Sequence, residues 1–399
     1  MMDEEVIRMS ISDKRKYFQR VNRRYHESSK RKKSKILDEF CLIFEFKRNY
    51  AIRLLNQGYK RKRKATGRAS KYQSPEFLRI LKKLWWLSEW QCGKLLKYSI
   101  PRVLQSYERR HGLVADIELR DKLLAISAAS IDRVLEPYKS QRRKGKSLTK
   151  PGSIKRNQIP ISTEVWDTNI PGFVEADTVA HCGESGKGPF VSTLTVTDIA
   201  THWTENRAVW TKLAENIVAA VNDIKKSLPF DIKGFDCDNG SEFLNDHLIR
   251  YLQGQKITLT RSRPYKKNDN AHVEQKNWTH ARQLLGYARL DNPELVPLIN
   301  DLYANEWSQW KNFIVPSRKL KEKQRIGSKI VRKMHPPATA YDRIMASDLI
   351  SEEKKQELKK INDSLDVYEL RERIIHKSNR IRELAKTNFQ DWLQSQIPQ

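Results

Sequence analysis

The sequence predicts a multidomain chain that is helical at its front, α/β through its middle and helical again at its end. Three observations carry this. Residues 1–150 hold 39 basic against 16 acidic residues, a net +23 out of the chain's +28, and their apolar residues recur at helical steps. Between about 165 and 315, short apolar runs interleave with helical stretches, as in a sheet crossed by helices. After 316, a basic stretch punctuated by Gly and Pro gives way to helical spacing.

Residues 1–58 read as helices. In 34-SKILDEFCLIFEFKRNYAIRLLNQG-58, Leu37, Phe40, Cys41 and Phe44 share a face. A break follows near Glu45 to Lys47, and Ile52 and Leu55 continue the pattern. Two short helices about a tight turn are helix-turn-helix-like, with Arg48, Asn49 and Arg53 near the start of the second, where base edges are met. The stretch 59–74 is a basic linker; Lys60, Arg61, Lys62 and Arg63 in it suit an arm that follows phosphates.

A second helical block, 75–138, opens at Ser74-Pro75 and is expected to form a separate helix-turn-helix-like domain cored by Trp85, Trp86 and Leu95. Its clearest signal is Leu123-Leu124, a small-residue turn at Ser127-Ala128, and a recognition-like helix over 129–137. Ser130, Asp132 and Arg133 are its expected exposed contacts. Residues 139–164, with Arg142 and Arg143, form an extended cationic linker.

The middle region, 165–315, is predicted as strand 173-FVEADTVAHCG-183, two strands within 190–209 bent near Ala200, a helix at 212–227, strand 234–237, a helix from Glu242, strand 256–264 and a helix over 268–286. Asp177 lies mid-strand, where a charge needs a cationic partner. Asp238 lies where 234-GFDCDNGSEF-243 passes from strand to turn, the edge at which α/β folds place their chemistry. Glu274 shares a helical face with Ala271, Trp278, Ala281 and Leu285, a stripe expected to face the core. Asp198 reads as a strand-end structural residue, and Glu175 and His181 share the strand face of Asp177. In 316–399, the basic stretch 318–337 suits a DNA backbone, and Val367, Leu370, Ile374, Ile381 and Leu384 mark a helix that packs in its own chain or joins copies.

Cys41, Cys92, Cys182 and Cys237 stand far apart without CxxC spacing, against a disulfide framework or structural zinc. No apolar run reaches membrane-spanning length, and MMDEEVIRMS lacks a signal-peptide core. A cytoplasmic, bacterial, nucleoid-associated protein is expected, with a polyanionic partner and no membrane.

Asp177, Asp238 in DNGSEF, and Glu274 in NDNAHVE, the last two separated by thirty-five residues, resemble the DDE catalytic core of retroviral integrases and bacterial insertion-sequence transposases. The resemblance covers about 165–315. It implies an RNase H-like fold whose three carboxylates bind two Mg²⁺ ions, with Mn²⁺ as a possible substitute. It implies a transposase acting on double-stranded DNA, both the inverted repeats at the ends of its mobile element and the target, by 3′-end cleavage and strand transfer. A homo-multimer assembled on DNA is expected, because joining two ends needs two sites. Lys276 and Arg282, on the helix of Glu274, are candidate phosphate clamps; where related cores carry a basic residue two turns beyond the glutamate, this chain has Ala281. The alternatives are a catalytically silent DNA-binding regulator and a nuclease of the same fold without strand transfer.

Overall fold

The computed structural model describes residues 11–57, 71–139, 169–238, 240, 242–243, 245–261, 271–327 and 329–386. Residues up to Lys71 form one unit and those from Tyr72 onward another. In the first, α1 (Ile11–Glu27), α2 (Lys30–Phe44) and α3 (Arg48–Gln57) close on Phe18, Val21, Ile36, Leu37, Phe40, Ala51 and Leu55. The break expected at Glu45 to Lys47 falls between α2 and α3. Glu45 turns left-handed at φ 54°, which ends α2 at a cost of about 1 kcal/mol for a residue with a Cβ.

The second unit begins with α4 (Pro75–Leu87), α5 (Gly93–His111), α6 (Ile117–Ala125) and α7 (Ala128–Leu135). Three of these start on a side chain that accepts a backbone N–H: Ser74 from Phe77, Asp116 from Leu119, Ser127 from Ser130. At Gly93 a Cβ would stand 2.1 Å from the Ala128 carbonyl, so only glycine lets α5 start this close to α7. Asp132, expected exposed, is half-buried there and accepts from the Gly93 N–H at 2.9 Å. Leu96 is buried instead of Leu95, which is half-buried, as is Trp86.

The sequence sets 75–138 apart as a domain, but the structure makes it continuous with the rest of its unit. Its apolar residues belong to one core with those of the sheet and of the chain's end. Arg102 donates to the Phe313 carbonyl at 3.0 Å and to Asn362 Oδ1 at 2.7 Å, and Ser106 Oγ donates to Asp366 at 2.9 Å. Glu89 pairs with Lys311 at 2.7 Å and Arg371 at 3.6 Å.

The sheet comes next in the chain: β1 (Phe173–Ala180), β2 (Val191–Asp198), β3 (Thr204–Trp210), α8 (Ala214–Ser227), β4 (Gly234–Cys237), α9 (Asp246–Gly254) and β5 (Thr258–Arg261). Its spatial order is β3-β2-β1-β4-β5, with β1–β2 and β2–β3 antiparallel and β1–β4 and β4–β5 parallel. This five-stranded mixed sheet is compatible with an RNase H-like core. The two strands expected by alternation over 190–209 are present, but β2 is buried at every position and β3 at all but its last, so both faces are covered. Asp198 ends β2 as a structural acceptor, taking N–H groups from Gly172 at 2.8 Å and Thr201 at 2.7 Å.

The next helix runs as α10 (Ala271–Lys276), a π-helical segment Asn277–Arg282, and α11 (Gln283–Leu285). Then come α12 (Leu295–Leu302), π-helical segments Tyr303–Trp307 and Trp310–Ile314, the antiparallel ribbon β6 (Leu320–Ile326) and β7 (Lys329–Met334), and α13 (Ala340–Met345), α14 (Glu352–Ser364) and α15 (Val367–Leu384). The alternative of α15 as a contact between copies is overturned: Val367, Leu370, Ile374 and Ile381 are at most 3 % exposed within their own unit. Lys377, which interrupts the repeat, pairs with Asp301 at 2.6 Å and Glu306 at 2.7 Å.

Candidate active site

Parallel pairing of β1 with β4 sets Ala176 opposite Cys237, so the next residues along the two strands, Asp177 and Asp238, come side by side where β4 ends. Each Asp177 oxygen is held: Oδ1 accepts from the Thr178 N–H at 2.7 Å and Oδ2 from Asn277 Nδ2 at 2.5 Å. Asp238 Oδ1 accepts from the Gly240 N–H at 2.8 Å. Desolvation, and after it the charge of Asp238, push the Asp177 carboxyl up to about 7. Desolvation also raises Asp238, with Glu242 adding to it.

Glu242, inside the same turn, is 8 % exposed and accepts from Thr178 Oγ1 at 2.6 Å and from Lys212 Nζ. Burial opposes its charge, but the Lys212 ammonium outweighs that and holds the carboxyl below its ordinary value. The same ammonium favours the charged forms of Asp177 and Asp238. Lys212 is therefore the cation that the mid-strand acid requires.

Two residues back along β1, Glu175 stands opposite Asp236 and is 3 % exposed. Its Oε2 accepts the N–H groups of His272 and Val273, each at 3.0 Å, and so fastens the first turn of α10 to the sheet. Desolvation pushes Glu175 up to about 8 against those two bonds, and Asp236 adds to the rise. His181 is fully buried, bonded through Nε2 to Thr193 Oγ1 at 2.8 Å and pushed down to about 3 by desolvation; it is a core residue just past the end of β1.

Glu274 is exposed, so its expected place in the core stripe is corrected. The buried face of this helix is Val273, Lys276, His280, Ala281 and Leu284, while Trp278 is 40 % exposed. Val273, Lys276, His280 and Leu284 follow one another at steps of three and four, so the buried face is the helical stripe next to the one through Glu274 and Trp278. The two bonds from His272 and Val273 to Glu175 place α10's first turn, and with it Glu274, against this part of the sheet. Among the described residues, no three His, Cys, Asp or Glu are gathered as a ready metal site. Two adjacent carboxylates of raised proton affinity, with the unsatisfied buried Asn277 Oδ1 beside them, are nonetheless hard oxygen donors that fit a divalent cation.

The candidate phosphate contacts fall out differently. Lys276 is 9 % exposed, reaches the His202 carbonyl at 3.5 Å and is pushed down to about 7 by desolvation, which removes it as a phosphate clamp. Arg282 is half-buried and donates to the Ala180 carbonyl at 2.8 Å, tying its helix to the end of β1. Arg48 is exposed and paired with Asp38 and Ser34; Asn49 and Arg53 are exposed, with Arg53 over the Tyr50 ring. Arg133 is exposed, whereas Ser130 is half-buried and hydrogen-bonded to Ser127. Lys60, Arg61, Lys62, Arg63, Arg142 and Arg143 lie outside the described residues. The sequence reading missed Asn277, Glu242 and Lys212. Glu242 was legible as a second acid in the DNGSEF turn, and Asn277 as the residue one helical turn beyond Glu274.

No helix among the described residues is long and apolar enough to cross a membrane. No family model matches the chain. The catalytic core domain of BIV integrase, in a crystal structure, aligns over 44 % of this chain and 95 % of its own length at 14 % identity, with a TM-score of 0.28. The uncharacterized protein y4rM of Sinorhizobium fredii (strain NBRC 101917 / NGR234) is 39 % identical over 332 residues, 83 % of this chain and 94 % of the relative. By that identity over nearly the whole of the relative, the chain belongs to the same family as y4rM.

Proposed function

We propose that the chain is a DNA transposase of the DDE kind, a polynucleotidyl transferase that cuts 3′ ends and joins them to target DNA. The observation that supports it most is that Asp177 and Asp238 each stand one residue past the paired Ala176 and Cys237 of β1 and β4, with Asn277, from the helix that carries Glu274, donating to Asp177. In this reading Asp177, Asp238 and Glu274 hold Mg²⁺, or Mn²⁺ in its place. Bound there, the two ions would supply an activated water or 3′-hydroxyl and stabilise the departing 3′-oxygen.

The chain's own residues prepare that seat. Thr178 and Asn277 fix both oxygens of Asp177, and Gly240 orients Asp238, so neither carboxylate has to search for its geometry. Lys212, held by Glu242, limits the repulsion between them. Glu175 sets the start of α10 and with it the approach of Glu274. The pairs α2–α3 and α6–α7 are proposed to read the element's ends as helix-turn-helix-like modules, supported by their tight turns and by exposed Arg48, Asn49, Arg53 and Arg133. Two ends joined to one target call for a multimer on DNA, built on surfaces other than the apolar face of α15.

The test is to incubate the full chain with Mg²⁺ and duplexes carrying the repeats that flank its gene, and to sequence nicked and joined products. Asp177→Asn, Asp238→Asn and Glu274→Gln are each expected to lose on the order of 10³-fold in cutting and joining while binding the ends as before. Cutting without joining would leave the nuclease, and binding without either would leave the regulator. Near-normal activity in any variant removes that residue from the site.

A further inference from the structure

The ribbon β6–β7 takes no part in this site. Between Arg318 and Met334 the chain carries eight basic residues and one acid, Glu322. Pairing sorts them by face. Glu322 lies opposite Lys333 and Gln324 opposite Val331, and on that face Glu322 pairs with Lys333 at 3.5 Å. On the other face Lys323 lies opposite Arg332 and Arg325 opposite Ile330. All four are exposed, Ile330 by 52 %. Like charges directly opposite each other weaken a strand pair, so this face is arranged against the ribbon's own stability. At its root a cavity of about 760 Å³, lined in part by Lys319, Lys321 and Arg343, continues the positive charge.

We propose that the face of Lys323, Arg325, Arg332 and Ile330 binds duplex DNA, with the ribbon entering the major groove. It rests on the transposase reading only in taking duplex DNA as the partner. Two strands about 4.8 Å apart fit a groove about 12 Å wide. The three cations face phosphates and base acceptors, and a polyanion relieves the Lys323–Arg332 repulsion that the free ribbon bears. Ile330, apolar between them, meets the groove floor, where thymine methyl groups are the apolar feature. The opposite face carries Gln324, Val331 and Ile326, and one of its cations, Lys333, is paired with Glu322, so the face of Lys323, Arg325 and Arg332 has the larger unpaired positive charge.

The experiment measures binding of the full chain to a duplex by fluorescence anisotropy across a salt series. In a variant with Lys323→Ala, Arg325→Ala and Arg332→Ala, the slope of log affinity against log salt is expected to shrink by about 2.7, three phosphates at about 0.9 each. Ile330→Ser is expected to weaken binding without moving the slope, and Lys333→Ala to leave both nearly unchanged. Lys323→Glu places a cross-strand ion pair with Arg332, so it keeps the ribbon folded and must still weaken binding. A triple variant with the wild-type slope, or Lys323→Glu with wild-type affinity, overturns the ribbon's role while the proposed activity stands. A wild-type chain that does not bind duplex DNA at all overturns both.

Discussion

Two pairs of neighbouring strands set like charges side by side, in opposite surroundings. On β1 and β4 the pair is Asp177 with Asp238, largely enclosed; on β6 and β7 it is Lys323 with Arg332, exposed to solvent. Burial, and after it the neighbouring charge, raises the proton affinity of the enclosed pair, with Asp177 pushed up to about 7. In the exposed pair water and salt screen the repulsion, which costs a few tenths of a kcal/mol (~0.2–1). In the proposed reading, enclosure would suit the first pair to a small hard cation that replaces a proton. Exposure fits the second to the spread charge of a polyanion.

Removing a third enclosed acid should have the largest effect on stability. Glu175→Ala leaves the His272 and Val273 N–H groups buried without their acceptor, and is expected to cost about 3 kcal/mol in a denaturant titration. Glu175→Gln keeps an acceptor oxygen and should recover most of that cost, together with strand cutting. If the alanine variant is as stable as wild type and fully active, α10 is not fixed by this contact.

A lone enclosed cation sharpens the comparison from the other side. Lys276 is pushed down to about 7 by desolvation, so its folded form prefers to be neutral. A base with a lowered folded value contributes stability only above its unfolded value, near 10.5, and loses it as pH falls through about 7. Lys276→Met should therefore raise stability by roughly 1–2 kcal/mol at pH 6, with the gain fading toward pH 10. Its affinity for DNA should not change. A loss of DNA binding would mean that Lys276 reaches phosphate after all, and the contrast between enclosed and exposed cations would fail.

The sheet and its acid pair were legible because a period of two and an Asp-Asn-Gly turn are local signals, and they place Asp177 and Asp238 at a strand's middle and end. The orientation of Glu274 was not. The stripe through Glu274, Trp278 and Leu285 competes with a neighbouring one at the same helical steps, and the face that is buried is that of Lys276, His280 and Leu284. Two of those three are polar and carry no core signal in sequence. The joining of α4–α7 to the sheet was hidden for another reason. Periodicity tells which face of a helix is buried, but Arg102 reaching Phe313 and Asn362 is a contact across more than two hundred residues.

The acid pair is tested most directly by Mn²⁺ binding to the DNA-free chain, followed by electron paramagnetic resonance across pH 5.5 to 8.5. A cation seated between Asp177 and Asp238 must displace the proton that Asp177 holds, so affinity should fall by up to about tenfold per pH unit below about 7 and level off above it. Asp177→Asn should abolish this binding at every pH. Equal affinity at pH 6 and pH 8, or unchanged binding by Asp177→Asn, would contradict the assignment of the acid pair as the metal seat.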